Sequence, residues 1–162
     1  MDALFRIRRF ILSIADRLSF APPTLARVAI GVVFMGAGWG KLHNLDKITS
    51  FFTELGIPAP GFNAVLASSA ELVCGVLILV GLFTRLAAIP LIIVMAVAIV
   101  TARRSEIGSP SDLLGFVETL YIVLLAWLVT AGPGPISLDR VALRALDSEA
   151  HRPSSDTAPA HN

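Results

Sequence analysis

The run FNAVLASSAELVCGVLILVG at positions 62–81 is predominantly apolar and carries a single carboxylate, Glu71, at its middle. A helix of about 20 such residues crosses the roughly 30 Å hydrocarbon core of a bilayer, which puts Glu71 near the midplane. Leu, Ile, Val and Phe gain about 0.3 to 0.6 kcal/mol each on insertion, while one central acid costs about 2.5 to 3.5 kcal/mol. The run therefore inserts despite Glu71, and the acid needs a partner or a purpose. At helical spacing Ala64, Ala67, Ser68, Glu71, Cys74 and Gly75 share one face, and Leu66, Val73, Val76, Leu77 and Val80 occupy the other. Small side chains admit a neighbouring helix, so the Glu71 face is expected to point into a bundle and the bulky face into lipid. An ionisable group at that depth is either a hydrogen-bonding strut between helices or part of a functional site.

Composition makes this run one of several. Of 162 residues 55% are hydrophobic and 15% charged, with a mean hydropathy of +0.76, which identifies an integral membrane protein. The single cysteine, Cys74, excludes an intrachain disulfide and a Cys-only metal site. His43, His151 and His161 fall in expected loop or tail, so facing helices offer no axial haem ligands. No metal and no covalently bound cofactor is expected, and a net charge of +1 gives no basis for a nucleic-acid partner.

In chain order, residues 1–21 place Leu4, Ile7, Ile11, Ile14 and Leu18 against Arg6, Arg9, Ser13 and Asp16, the pattern of an amphipathic helix in the membrane interface. Its longest apolar run, 10–12, is too short for a signal-peptide core. Pro22 and Pro23 restart the chain, and the first span is expected over about 24–42. On it Arg27, Gly31, Phe34, Gly38 and Lys41 share a face, Gly36 and Gly40 form a small-xxx-small pair, and Trp39 sits at an interface position. The connection 43–61 carries Phe51, Phe52 and Leu55 at helical spacing before Pro58 and Pro60, which suggests a short amphipathic helix over the mouth of a bundle. After the 62–81 span and a tight turn, a third span is expected over about 86–102, with Pro90 near its start, and a fourth over 112–131 holding Glu118 and Tyr121. SLDRVALRAL suggests another short surface helix, and residues 140–162 read as a polar, disordered cytoplasmic tail. The expected fold is all-α: a membrane four-helix bundle over 22–139 with an N-terminal interfacial helix.

Nine basic residues (the arginines at 6, 8, 9, 17, 27, 85, 140, 144 and 152) fall on the side of the termini and four (Lys41, Lys47, Arg103, Arg104) on the other, so both termini are expected in the cytoplasm. Depths taken from a rise of about 1.5 Å per residue suggest that Arg27 pairs with Glu71 and Lys41 with Glu118. Such pairs either fix helix register or line a polar pocket open toward the outer half, to which Tyr121 adds a hydroxyl or merely a packing ring.

The segments ARVAIGVVFMGAGWGKL, FFTELGIPAPGFNAVLASSAELVCGVLILVGLFTRLAA and FVETLYIVLLAWLVTAGPGPISLD resemble the DoxX family of four-helix bacterial membrane proteins over about 25–139. The resemblance lies in the Arg of the first span, its GWGK end, the ELxxGxxLLxGLxTR-like run and the closing GPGxxSLD. It implies an inner-membrane bundle, a quinone-linked oxidoreductase or oxidative-stress system, and a quinone-head-group or proton site at Arg27, Lys41, Glu71 and Glu118. On that reading the chain is a quinone-interacting or anchoring subunit taking electrons from a protein partner. The residues equally allow a small-solute or proton transporter, or a scaffold that only anchors partner enzymes or a second copy of itself.

Overall fold

The computed structural model describes Arg9, residues 21–132, Gly134 and residues 137–139. Apart from Arg9 and Ala21, the interfacial helix expected over 1–21 lies outside the described residues, as do the tail over 140–162 and most of the expected surface helix after Ser137.

The described chain is all-helical: α1 (Ala21–Leu42), α2 (Leu45–Glu54), α3 (Pro60–Val80), α4 (Thr84–Ala102), a 3₁₀ turn (Arg104–Glu106), α5 (Pro110–Gly115) and α6 (Val117–Ala131). Three of these, α1, α3 and α4, are long and apolar enough to cross a membrane. The fourth expected span is not one continuous helix. Gly115, a poor helix former, ends α5, and Phe116 is extended at φ −77° and ψ 137°. The Thr119 hydroxyl donates to the Leu113 carbonyl across this break. That leaves α6 at 15 residues, about 22 Å long.

α1 packs along α3 and α4 along α6, and α3 meets α4 through the turn at 81–83. Gly81 takes φ +74°, where a side chain would be strained, and lets the Gly81 and Leu82 amides donate to the carbonyls of Ile78 and Leu77, closing α3. The core comprises Ile30 and Phe34 of α1, Ile78 of α3, Leu91 and Met95 of α4, and Leu125 and Leu128 of α6. As the spacing required, Ala64, Ser68, Glu71, Cys74 and Gly75 are buried, whereas Leu66, Val73, Val76 and Val80 face outward.

The α1–α3 register is set by three glycines. A Cβ at Gly31 would lie 2.7 Å from the Leu79 Cα, one at Gly75 would lie 2.5 Å from the Met35 amide, and one at Gly38 would overlap the Leu72 backbone. Gly36 and Gly40, the pair that sequence spacing favoured for close packing, have nothing within 4 Å of a built Cβ and play no such part.

Candidate functional site

The glycine register slides α1 against α3 by about 10 Å relative to a pairing of helix midpoints. Lys41, near the end of α1, therefore reaches Glu71 at the middle of α3, and Nζ donates to Oε1 at 2.6 Å. This corrects the pairing expected from depth, which joined Arg27 to Glu71 and Lys41 to Glu118. Arg27 lies instead at the opposite end of the bundle. It is buried, and a Cβ at Gly81 would lie 2.6 Å from its Nη1 and 2.8 Å from the Ser137 Cβ. The closing segment seals this end, where the Asp139 amide donates to the Gly81 carbonyl and Asp139 Oδ1 accepts from the Phe83 amide at 2.9 Å. Glu118 pairs with Arg103, whose Nε lies 3.3 Å from Oε1 and whose Nη1 also meets Glu106 at 3.1 Å. The Arg103 guanidinium rests over the Phe116 ring at 5.6 Å, so one cation ties the end of α4 to the α5–α6 break.

The five residues suspected from sequence thus separate. Lys41 and Glu71 come together, Arg27 lies at the far end and Glu118 at the rim of α6. Tyr121 meets Phe34 in an edge-to-face contact with ring centroids 5.4 Å apart, against the core. Only Lys41 and Glu71 of the five border a cavity of about 520 Å³. Its walls come from α2 (Ile48, Phe51, Phe52), α3 (Leu66, Ala67, Ala70) and α4 (Ile93, Val97, Ala98), and are almost wholly apolar. Leu66, Ile93 and Val97 border this space and are also exposed on the outer surface, so it opens sideways between α3 and α4, toward what would be lipid. The amphipathic α2 lies across it, as expected from Phe51, Phe52 and Leu55.

The polar end of the cavity is asymmetric. The Lys41 side chain, near the end of α1, is 36% exposed, whereas that of Glu71 is 1% exposed. Glu71 Oε1 accepts from Lys41 Nζ, but Oε2 is buried and accepts no hydrogen bond from any described residue. A carboxylate oxygen without a donor costs free energy in a site this dry. Among the described residues, no group of His, Cys, Asp and Glu could hold a metal ion. The arrangement can bind an amphiphile: apolar walls for a ring and tail, an ammonium donor and a carboxylate acceptor for its head.

Residues 23–104 match the DoxX family profile. The chain belongs to the DoxX family. It is similar to a Mycobacterium tuberculosis protein named only as an uncharacterized membrane protein, 36% identical over 133 residues, covering 74% of this chain and 81% of that one. The Escherichia coli inner membrane protein YphA is 28% identical over 121 residues, 72% of this chain and 86% of YphA. CatD of Bacillus subtilis, whose name assigns it provisionally to the oxidoreductases, is 30% identical over 101 residues, 62% of this chain and 70% of CatD. No solved structure matches the chain. This DoxX-family chain is thus a membrane protein, and α1 from Pro23 onward, α3, α4, Lys41 and Glu71 lie within the matched residues, whereas α5 and α6 lie beyond them.

Sequence reasoning missed Arg103 as the partner of Glu118. Its position directly after the third apolar run, on the side where the next run begins, was the available signal.

Proposed function

We propose that this DoxX-family protein spans the bacterial inner membrane four times, through α1, α3, α4 and α6, with both termini in the cytoplasm, and serves a membrane-associated oxidoreductase. In this role the cavity under α2 holds the head of a quinone-type lipid beside Lys41 and Glu71. The observation that carries the reading is an apolar cavity of about 520 Å³, open sideways, with a half-buried ion pair at its polar end. That volume lies within the roughly 300 to 1,000 Å³ of ordinary ligand sites, so a substituted ring and its first tail carbons fit.

The residues suit such a head group. An ammonium group has three donors, and Lys41 uses one on Glu71, leaving others for a ring oxygen. Reducing a quinone to its hydroquinone takes two electrons and two protons. The electrons come from the partner oxidoreductase, while the protons pass between the head group and the Lys41–Glu71 pair, which touches water through Lys41. The name of CatD supports the oxidoreductase context.

The reading is tested by titrating the purified protein in nanodiscs with a decyl-tailed benzoquinone and, separately, with its hydroquinone. Ala98→Phe fills the cavity wall away from the charges. It is expected to weaken both ligands by about tenfold or more, the loss of one well-packed contact region. Equal binding of both ligands to Ala98→Phe and to the unaltered protein would remove the proposal.

A further inference from the structure

We infer that the cavity selects amphiphiles with an uncharged head over those with an anionic one, and that Glu71 sets this selectivity by cancelling the charge of Lys41. The inference deepens the quinone-lipid reading above and rests on it. Among the described residues that line the cavity, Lys41 and Glu71 are the only two with an ionisable side chain, and they pair at 2.6 Å, so the charges facing a ligand sum to zero. The other polar side chains of the lining, Asn63 and Thr101, are uncharged and donate to the carbonyls of Pro58 and Val97. Cations close by are not aimed at the space. Arg103, one residue beyond Ala102 of the lining, meets Glu106 and Glu118, and Lys47 sits on α2 outside the lining.

A ligand oxygen without charge that accepts from a spare N–H of Lys41 leaves this balance as it is. A sulfonate, phosphate or carboxylate on the same nitrogen instead brings a second negative charge beside that of Glu71, between walls that are almost wholly apolar. Two anions sharing one ammonium group repel each other, and apolar walls strengthen the repulsion relative to water. Glu71 needs no surface in the cavity to act in this way, because a charge acts through the atoms that bury it. The group that touches the ligand is Lys41, and Glu71 is a positioning residue that holds Nζ and neutralises it. Bilayers carry anionic lipids whose tails are as apolar as those of a quinone, and a lone lysine beside a sideways opening would gather them. The pair keeps the space for neutral heads.

Two probes with the same ten-carbon tail, a decyl-tailed benzoquinone and the permanently anionic decanesulfonate, are titrated into nanodiscs of zwitterionic lipid. Each affinity is compared between variants, so that the probe's own partitioning into the bilayer cancels. Glu71→Gln removes the balancing charge and is expected to tighten decanesulfonate roughly tenfold or more, while the benzoquinone changes by less than about threefold. Adding Lys41→Met to Glu71→Gln makes the pair neutral again and is expected to abolish the gain. A role of Glu71 in stability alone would weaken both probes together. Decanesulfonate that binds no more tightly to Glu71→Gln overturns the inference and leaves the cavity reading intact, and so does a gain that survives in the double variant. The unaltered protein gives a test without any variant: decanesulfonate that displaces half of the bound benzoquinone at equal mole fraction in the bilayer overturns the inference as well. If the benzoquinone fails to bind the unaltered protein, or binds Ala98→Phe equally well, the quinone-lipid reading itself is overturned.

Discussion

Replacing Lys41 by Met, which keeps the apolar stem of the side chain and removes the ammonium group, isolates the energetics of the half-buried pair. At 2.6 Å and an effective dielectric near 20, two unit charges attract by about 6 kcal/mol. Most of that attraction offsets the cost of holding the Glu71 carboxylate away from water, so the net loss is smaller than the gross term. Breaking a buried pair from one side costs about 3 to 5 kcal/mol. The Lys41 side chain is 36% exposed, so water already screens part of this interaction and the lower end, about 3 kcal/mol, applies. At roughly 2 to 4 °C per kcal/mol for a chain of this size, Lys41→Met should lower the melting temperature by roughly 6 to 12 °C. The opposite deletion should be milder. Glu71→Gln leaves an ammonium group near the rim that can swing into water, so a loss of about 1 kcal/mol is expected. The double variant should recover most of what Lys41→Met loses, since a neutral pair leaves no stranded charge. Thermal unfolding in nanodiscs, followed by tryptophan fluorescence, reads all four proteins. Equal melting temperatures for Lys41→Met and Glu71→Gln would refute the claim that one partner is sealed and the other is not.

Three further outcomes test the fold around the site. Gly38→Ala and Gly75→Ala drive a Cβ into the facing backbone and should lower the melting temperature strongly, whereas Gly36→Ala and Gly40→Ala, with open space at the built Cβ, should leave it unchanged or raise it by the helix-propensity gain of up to about 1 kcal/mol. Asp112 Oδ2 accepts from the Gly108 and Ser109 amides at 2.9 and 2.7 Å, and these bonds hold its carboxyl below its usual value of 3.8. Because that folded value is depressed, the loop's contribution is present above about pH 4, is lost as the pH falls through the depressed value, and should vanish in Asp112→Asn, as acid melts with limited proteolysis of the 103–112 loop would reveal. Asp139→Ala removes the acceptor for the Phe83 amide, so hydrogen exchange at the 81–83 turn should speed up while exchange around Glu71 stays the same.

Much of this was legible from residue spacing. A midspan carboxylate among small residues on 62–81 must be buried by a partner helix, and Glu71 is; bulky residues on the opposite face must point outward, and Leu66, Val73 and Val76 do. Phe51, Phe52 and Leu55 marked the surface helix that roofs the cavity. What spacing could not supply was the offset between neighbouring helices. That offset is fixed where a backbone lacks a Cβ and a second backbone can approach, and Gly31, Gly38 and Gly75 do this while Gly36 and Gly40 do not. Periodicity put Gly31, Gly38 and Gly75 on the faces that became buried but carries no information on how far one helix slides along the next, so matching helix midpoints chose the wrong cation for Glu71. The cavity was equally hidden, because it arises where α3 and α4 leave a wedge that α2 covers, a property of three helices together.

The most direct measurement of the central claim is a structure of the protein purified from native membranes without exogenous lipid. The account predicts ring-shaped density between α2, α3 and α4, with its polar atoms against Lys41 Nζ and its tail leaving past Leu66 and Ile93. A cavity filled by collapse of α2, or a bound lipid whose head lies away from both charged side chains, would contradict it.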